Sequence, residues 1–420
     1  MNRILLKDIY LNGDIKDILI EGKIITAISD SIDTDGLDNL EVVDCKGKAA
    51  IPGFINMHTH SGMTLMRGFN EDSSLMDWLQ DVWRIEPRLD DELLYWGTKL
   101  ACVEMIKTGT TCFLDQYWRV DVTSRAVAEM GIRSVQAHVA LDMKDESKSD
   151  FIKSEFERIY KDSQSWDELN TLCVGIHAPY SVSDSLIKWC SNFAREKGLK
   201  VHIHVSETAK ENADSVELNG CSPFEHLEKL EVLGPEVIAA HCVWLSNNDM
   251  DIMAKYGVTP VHNINSNLKL ASGYKFLYNE LKERGINVTL GTDGNGSSNN
   301  LDMRETMKTA ALLQKGWRED PTALPLNELM DMATVNGAKA LGIDAGEIKV
   351  GKLADINIID IDNYAFTPNI NFLSNLVYSA NSSCVESVIC NGKFVMKNRV
   401  VEGEKEILEK VNSIYKKLYV

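Results

Sequence analysis

The sequence lacks two features that would mark an exported or membrane-bound protein. Its nine cysteines include no CxxC pair and lie mostly in apolar segments, which predicts reduced thiols in a protein core. No apolar run is long enough to span a membrane, and the N-terminal segment carries charge too early for an export signal. We therefore expect a cytoplasmic protein.

The sequence also has few positively charged residues relative to negatively charged ones. Lys and Arg total 44 against 62 Asp and Glu, which gives a formal net charge of -18. Nucleic acids and anionic membrane surfaces are bound through basic patches, so neither is an expected partner. A large net charge keeps a protein soluble, and this is sufficient to explain the excess of acidic residues. Internal repeats and low-complexity tracts are absent as well.

Between about residue 51 and residue 293, apolar strand-like segments alternate with helical segments of mixed charge. This pattern is typical of α/β proteins with a parallel sheet. Eight strands are predicted, at Phe54 to His60, Thr111 to Asp115, Ile132 to Val139, Leu172 to Ala178, Lys200 to Val205, Val237 to His241, Val258 to His262 and Asn287 to Asp293. Helices between them end at Gly109, Gly131, Gly198 and Gly257. Eight parallel strands predict a (β/α)8 TIM barrel.

The two ends of the chain have a different texture, with short β segments separated by turns. Neither end is long enough to bury much core alone, so we expect both to pair into one small β-sandwich domain. The predicted domains are residues 1–52 for the first part of the small β domain, 53–344 for the catalytic barrel and 345–420 for the second part. Residues 406–420 are predicted to form a terminal helix.

His58 and His60 end the first predicted barrel strand. Alternate residues of a strand share a face, so both imidazoles could hold one metal ion. Later strands also end in residues that can bind metal or carry protons, namely His177, His204, His241, His262 and Asp293. Barrel active sites lie at the carboxyl ends of the strands, so these residues predict one site. Glu207 follows in the loop after His204, whereas His202 is expected to be a hydrogen-bonded core residue.

The positions of these residues resemble the amidohydrolase superfamily and its mononuclear deaminases. Further segments are similar to the 5-methylthioadenosine/S-adenosylhomocysteine deaminase family, namely residues 63–68, 85–86, 177–181, 266–270, 291–294 and 297–300. The resemblance covers nearly the whole chain. It implies hydrolytic deamination of an adenosine derivative to the inosine derivative and ammonia, with a small-molecule purine nucleoside as the partner. Whether copies of the chain form a homo-oligomer stays open.

The predicted metal ligands are the imidazoles of His58, His60 and His204 and the carboxylate of Asp293. This donor set suits Zn2+, with Fe2+ as the alternative, and leaves a position for water, whose pKa the metal can lower to about 7. No lysine follows the fourth strand to bridge two metals, and His177 stands there instead. One divalent ion per subunit is therefore predicted.

Deamination at C6 of adenine requires protonation of a ring nitrogen, attack by hydroxide and loss of ammonia. Glu207 is the candidate proton carrier, from the attacking water to N1 and later to the leaving amine. Asp293 is expected to take a proton from the water. His241 is expected to hydrogen-bond the hydroxide or to stabilise the tetrahedral intermediate, with a supporting role as the alternative.

The resemblance also implies contacts to the substrate. Glu86 is assigned to the ribose hydroxyls, since one carboxylate can accept hydrogen bonds from both. His177 is assigned to the purine and ribose edge. Trp118 is expected either to pack against the base or the 5′ substituent, or to belong to the core.

Specificity at the 5′ position is expected to depend on the loop after the third strand. Relatives that accept the homocysteine tail can use arginines there, whereas this chain has His138 as a candidate contact and an acidic loop at residues 142–146. Only Lys144, Lys148 and Lys153 could replace those arginines. We therefore expect 5′-methylthioadenosine, 5′-deoxyadenosine and adenosine to be at least as good substrates as S-adenosylhomocysteine.

Two alternatives remain from the sequence. The same site could act on a free base, a pterin or a triazine. The second alternative is a barrel without catalytic activity that has a role in assembly. Such a barrel would be expected to lose metal ligands, and all four predicted ligands are present in this chain.

Overall fold

The structure is a computed structural model that describes residues 2–419. It opens with the strands β1 (Arg3–Leu11), β2 (Asp14–Glu21), β3 (Ile24–Ser29), β4 (Leu40–Asp44) and β5 (Lys48–Pro52). The barrel strands follow as β6 (Phe54–Thr59), β7 (Thr110–Tyr117), β8 (Arg133–Ala140), β9 (Asn170–Ile176), β10 (Val201–Val205), β11 (Val237–His241), β12 (Thr259–His262) and β13 (Thr289–Leu290). The last strands are β14 (Ile356–Asp360), β15 (Val385–Cys390) and β16 (Lys393–Met396). All eight predicted barrel strands are present.

Most helices lie between or after the barrel strands. They are α1 (Leu75–Ile85), α2 (Asp91–Thr108), α3 (Val120–Met130), α4 (Ser149–Ser163), α5 (Asp184–Lys197), α6 (Ala209–Asn219), α7 (Pro223–Lys229), α8 (Asn247–Tyr256), α9 (Ile264–Lys269), α10 (Tyr278–Glu283), α11 (Asn295–Ser298), α12 (Met303–Arg318), α13 (Leu326–Ala333), α14 (Val335–Leu341), α15 (Phe372–Ser374) and α16 (Glu404–Ile414). The glycines that follow α2, α3, α5 and α8 have left-handed backbones, as predicted for helix C-caps.

The barrel sheet pairs each strand with its neighbour in the chain, from β6 to β13, and the pairs are parallel. Its seam lies between the first and last strands. There Asn56 bridges to Thr292 through its side-chain nitrogen (2.7 Å to Oγ1) and its side-chain oxygen (3.0 Å from the backbone N). The backbone N of Asp293 donates to the carbonyl of His58 at 2.9 Å. These bonds bring the ends of β6 and β13 together, and the predicted TIM barrel is confirmed.

The two chain ends form one mixed sheet beside the barrel, in the order β16, β15, β14, β5, β1, β2, β3, with β4 also paired to β1. The strand β5 joins the halves, since it pairs with β14 on one side and with β1 on the other. Isoleucines from both halves, including Ile9, Ile18, Ile356 and Ile389, share one buried cluster. The predicted pairing of the two ends is confirmed, and a common core between the halves stabilises it.

The C-terminal helix α16 begins at Glu404, slightly earlier than predicted, and a 3-10 turn over Tyr415–Leu418 continues it. Residue 420, the last of the predicted terminal helix, lies outside the described residues. None of the helices within residues 2–419 combines the length and apolar character needed to cross a membrane.

Candidate metal centre and substrate cavity

The pairing of β6 with β7 is irregular where β6 approaches the site. Ile55 is level with Cys112 of β7, but Thr59 is level with Asp115, so β6 contains one extra residue between these pairs. Such a bulge changes which side chains face inward. Ile55 belongs to the core cluster inside the barrel, and beyond the bulge His60 lines the central cavity. If the side chains alternated from Ile55 onward without the bulge, His60 would face outward.

Three imidazoles converge at the carboxyl ends of the barrel strands. The Nδ1 atom of His60 donates to the carbonyl of Gln116 at 2.7 Å, and that of His204 donates to the carbonyl of His177 at 2.6 Å. Since a carbonyl only accepts, both rings carry their proton on Nδ1 and leave Nε2 free. The third ring, that of His58, bonds the Nε2 atom of His202 through Nδ1 at 2.7 Å.

Asp293 completes the cluster from the loop after β13. Its Oδ1 atom lies 3.4 Å from Nε2 of His58 and 3.3 Å from Nε2 of His60. The carboxylate is held by the hydroxyl of Ser266 (2.6 Å) and the backbone N of Gly294 (2.7 Å). The backbone of Asp293 is left-handed, with φ of 65°. This conformation costs energy for residues other than glycine and is often found at functional sites.

These donors fit a divalent metal ion. A possible ligand atom from each of His58, His60 and His204 lies within 4.8 Å of the others, and a second such group contains His58, His241 and Asp293. The Nε2 atom of His58 is buried without a hydrogen-bond partner, which is costly unless a ligand takes its lone pair. Burial lowers the pKa of His58 and His204, so both rings are neutral, as metal ligands must be.

Glu207 and His241 face each other next to this cluster. Oε2 of Glu207 lies 3.7 Å from Nε2 of His241, and Oε1 accepts a hydrogen bond from the hydroxyl of Ser272 at 3.3 Å. Burial, together with the negative charges of Asp293 and Glu211, raises the pKa of Glu207 well above its ordinary value. This shift favours the protonated form of Glu207 compared with an exposed glutamate.

His241 turns into the site through its backbone. It ends β11 with φ of 72°, and Asn267 contacts its Nδ1 atom at 3.0 Å. Burial lowers the pKa of His241 to about 3, so the ring is neutral. Because the side-chain nitrogen of Asn267 can only donate, the neutral ring carries its proton on Nε2, which faces Glu207 and can donate a hydrogen bond in the cavity.

A cleft opens above the histidine and aspartate cluster. Its walls include four of the five predicted substrate contacts, namely Glu86, Trp118, His177 and Glu207, together with His241. Glu86 is buried and accepts a hydrogen bond from the hydroxyl of Tyr117 at 2.8 Å. Burial raises the pKa of Glu86 to about 7, against the opposing effect of Tyr117. The Nδ1 atom of His177 is paired with the hydroxyl of Ser181 at 2.6 Å, and burial lowers the pKa of this ring to about 4.

His138, a predicted substrate contact, does not line this cleft. The next residue, Val139, lines the cleft, so the side chain of His138 points from the opposite face of β8. There its ring packs against Phe156 of α4, with the centroids 4.7 Å apart. His262 is also outside the cleft and stacks on Phe276 at 4.0 Å. His202 is the buried, hydrogen-bonded residue that was predicted, although its partner is the ring of His58.

Several residues that support the site were not identified from the sequence. Tyr117, Ser272 and Glu211 contact Glu86 or Glu207 from elements distant along the chain or through the backbone. Ser266 and Asn267 belong to a segment that resembles the deaminases, which was a signal of their importance but not of their partners, Asp293 and His241.

Comparison with known proteins places this architecture in a family. The sequence pattern of the Amidohydrolase family matches residues 49–395. A 5′-deoxyadenosine deaminase from Methanothermobacter thermautotrophicus is 44% identical over 394 residues, which cover 93% of this chain and 91% of that protein. A 5-methylthioadenosine/S-adenosylhomocysteine deaminase from Thermococcus sibiricus is 44% identical over 382 residues, with coverage of 90% and 89%.

A solved structure gives the same result. The crystal structure of an adenosine deaminase from Xanthomonas campestris, with bound zinc, is similar to this chain with a TM-score of 0.91 at 30% identity. The similarity covers 99% of this chain and 98% of that one. The resemblance inferred from the histidine and aspartate positions is thus confirmed, and the chain belongs to the amidohydrolase family.

Proposed function

We propose that this protein is a metal-dependent deaminase that converts an adenosine derivative into the inosine derivative and ammonia. One observation carries the proposal: a single cleft joins the histidine and aspartate cluster and Glu207 to a buried carboxylate, Glu86, at its other side. The first group suits hydrolysis at the purine, and the second suits recognition of a ribose. The 44% identity to deaminases of 5′-deoxyadenosine and of 5-methylthioadenosine supports the same reaction.

The proposed metal is one Zn2+ per subunit, held by His58, His60, His204 and Asp293. Three imidazoles and one carboxylate, with room for a water, match zinc in hydrolases, and zinc would bind the imidazoles in their neutral form. When bound, the ion acts as a Lewis acid that makes water a sufficient nucleophile near neutral pH. The zinc in the related adenosine deaminase structure supports this choice over Fe2+.

The side chains then divide the proton transfers. Glu207 is favoured in its protonated form, so it can donate to N1 of the purine and make C6 more electrophilic. Asp293 is ionised and can accept a proton from the attacking water. His241 lies 3.7 Å from Glu207 and can donate a hydrogen bond to the new C6 oxygen. Glu207 can then take the proton of the C6 hydroxyl and pass it to the departing amine, and the proton held by Asp293 restores the protonated form of Glu207.

Ribose recognition is assigned to Glu86. One of its oxygens accepts a bond from Tyr117, and the carboxylate has further lone pairs for the two ribose hydroxyls. His177 and Trp118 line the cleft where they can contact the purine and the sugar. A free base or a triazine has no hydroxyl pair and would leave the buried Glu86 with Tyr117 as its only partner, so a nucleoside is favoured over these substrates.

The preferred 5′ group is proposed to be small and uncharged. A second cavity, of about 690 Å³, adjoins Glu86 and Trp118 and is lined largely by apolar residues, including Leu89, Leu94 and Leu141. Its cation, Arg119, is already paired with Asp91 and Asp121. The three lysines after the third barrel strand, Lys144, Lys148 and Lys153, each lie within ion-pair distance of an aspartate. A homocysteine carboxylate would compete with these acids, whereas a 5′-deoxy or 5′-methylthio group would not.

The location of the protein and its domain boundaries are also proposed. The nine cysteines are buried and unpaired in the described structure, which supports the proposed reducing, cytoplasmic location. We retain domain boundaries at residues 52 and 344, which fall between β5 and β6 and between α14 and β14. Homo-oligomer formation stays open.

A substrate panel tests the proposal. Zinc-loaded protein is incubated with 5′-deoxyadenosine, 5′-methylthioadenosine, adenosine, S-adenosylhomocysteine, guanine and a chlorotriazine, and ammonia and product absorbance are followed. The expected result is deamination of the nucleosides, with the first two showing the highest kcat/KM. Activity only on guanine or the triazine, or on none of the six, would contradict the proposal.

A further inference from the structure

Glu211 is a partly buried carboxylate next to the site that the proposed proton transfers do not use. It lies in the first turn of α6, and Thr208 caps this helix by accepting the backbone N of Glu211 at 3.0 Å. The Glu211 side chain reaches back along the chain. Its Oε1 accepts the backbone N of Ser206 at 2.9 Å, and its Oε2 accepts the backbone N of Glu207 at 2.7 Å.

This arrangement differs from ordinary helix capping. In a capping box, the third residue of the helix bonds the backbone N of the capping residue itself. The helix α7 has that geometry, because Glu225 accepts the backbone N of its cap Ser222 at 2.9 Å. Glu211 instead passes its own cap and binds the two preceding residues. Both of its short bonds therefore go to the two successive peptide groups that lead into Glu207, those on either side of Ser206.

The same peptide segment is fixed from its other side. The carbonyl of Ser206, whose φ is 52°, accepts the backbone N of Val243 at 3.0 Å and of Trp244 at 2.9 Å. The indole N of Trp244 donates to the carbonyl of Ser272 at 2.6 Å, and the Ser272 hydroxyl reaches Glu207. The loops after β10 and β11 are thus joined around Glu207.

We infer that Glu211 is a positioning residue for the reaction: its carboxylate fixes the peptide that carries Glu207 and so aims the Glu207 carboxyl at the reacting purine. The inference rests on the proposed function. Burial raises the pKa of Glu211 to about 7, so above that pH its ionised carboxylate makes two charge-assisted bonds to successive backbone N–H groups. Two such bonds restrain the chain more strongly than a single neutral bond would. The charge of Glu211 also favours the protonated form of Glu207.

The test compares Glu211→Gln with a matched control, Glu225→Gln. Glutamine has the same shape, but its NH2 group cannot accept, so Glu211→Gln loses one of the two backbone bonds and sets two donors against each other. We expect kcat to fall by about 10²-fold with KM changed less than about threefold, since misplacing a catalytic group by about 1 Å has that effect. Affinity for a tetrahedral, transition-state-like purine nucleoside should fall in parallel, and affinity for the inosine product should not.

Glu225→Gln disturbs a helix cap of the same kind away from the cleft. It should lower the melting temperature of the zinc-loaded protein about as much as Glu211→Gln does, and leave kcat and KM unchanged. If Glu211 only caps α6, both variants will melt earlier and both will keep wild-type kinetics, which overturns the inference. If Glu211→Gln does not fold, Glu211→Asp provides the same test. Aspartate retains the charge but is too short to hold both N–H groups, so kcat should fall by at least about tenfold.

Crystal structures separate this inference from the proposed function. In Glu211→Gln, the Glu207 carboxyl should leave its present position near Ser272 and His241, whatever substrate the enzyme uses. A wild-type enzyme inactive on the whole panel would refute the proposed function, but a displaced Glu207 would still support the role of Glu211. An unmoved Glu207 would overturn that role even in an active deaminase.

Discussion

Replacing Glu86 with alanine should weaken deamination of every ribonucleoside that the enzyme accepts. Glu86 is only 8% exposed, so water cannot readily take over its contacts. Hydrogen bonds to a charged group contribute about 1.5 to 3 kcal/mol each, and the carboxylate has room for both ribose hydroxyls. A loss of about 3 kcal/mol corresponds to a decrease of about 150-fold in kcat/KM.

The assay compares each substrate with its 2′,3′-dideoxy analogue, by the loss of the adenosine absorbance band. Glu86→Ala should affect the ribonucleoside strongly and the dideoxy compound little. The matched control is Glu129→Gln, because Glu129 also accepts a tyrosine hydroxyl, that of Tyr95, but lies far from the cleft. An equal effect of Glu86→Ala on both compounds would refute the assignment to ribose, since the loss would then not come from the hydroxyls.

The same contact predicts a pH dependence. Burial raises the pKa of Glu86 to about 7, so the carboxylate is ionised above that pH and gains a proton below it. The protonated form accepts fewer hydrogen bonds, and KM should therefore rise as the pH falls through 7 and stay constant above it. Tyr117→Phe removes a bond that lowers this pKa, so the rise in KM should begin at a higher pH. A midpoint that does not move in Tyr117→Phe would contradict the explanation.

Three further substitutions test other parts of the site. His58→Ala should leave well under one zinc ion per subunit by elemental analysis, whereas wild-type protein should hold about one and lose activity when a chelator removes it. Glu207→Gln should keep its zinc and lose about 10²- to 10⁴-fold in kcat, because a positioned proton carrier contributes about that much; a loss below tenfold would assign the proton transfer elsewhere. His138→Ala should keep kcat/KM within about twofold but lower the free energy of unfolding by about 1 to 2 kcal/mol, since it removes a buried ring from Phe156.

The barrel could be predicted because its signals are local. Each strand is a short apolar run, and several intervening helices end at a glycine whose left-handed backbone the structure shows. The shortest strand, β13, contains only Thr289 and Leu290, whereas the prediction extended to Asp293. The difference arises because residues 292 and 293 bond to Asn56 and His58 across the seam rather than to β12.

The direction of individual side chains was harder to predict, because it depends on register. The bulge in β6 brings His60 into the cleft, and a left-handed backbone does the same for His241. His138 follows plain alternation and faces away, and nothing in its own neighbourhood along the chain indicates which face of β8 is inside. Partners such as Tyr117 for Glu86 depend on contacts between distant segments, which one sequence does not reveal.

The seam of the barrel has a consequence for folding. His58 lies in the first barrel strand, His60 directly follows that strand and Asp293 follows the last one, so the proposed ligand set is complete only when the sheet has closed on itself. A growing chain can present the first histidines early, but it cannot form the full site until residue 293 is in place. An ion bound there would connect the two ends of the sheet across the seam. At a free ion concentration of 100 times Kd, binding would stabilise the closed barrel by about 2.7 kcal/mol. Metal supply and barrel closure are therefore expected to be coupled during biosynthesis.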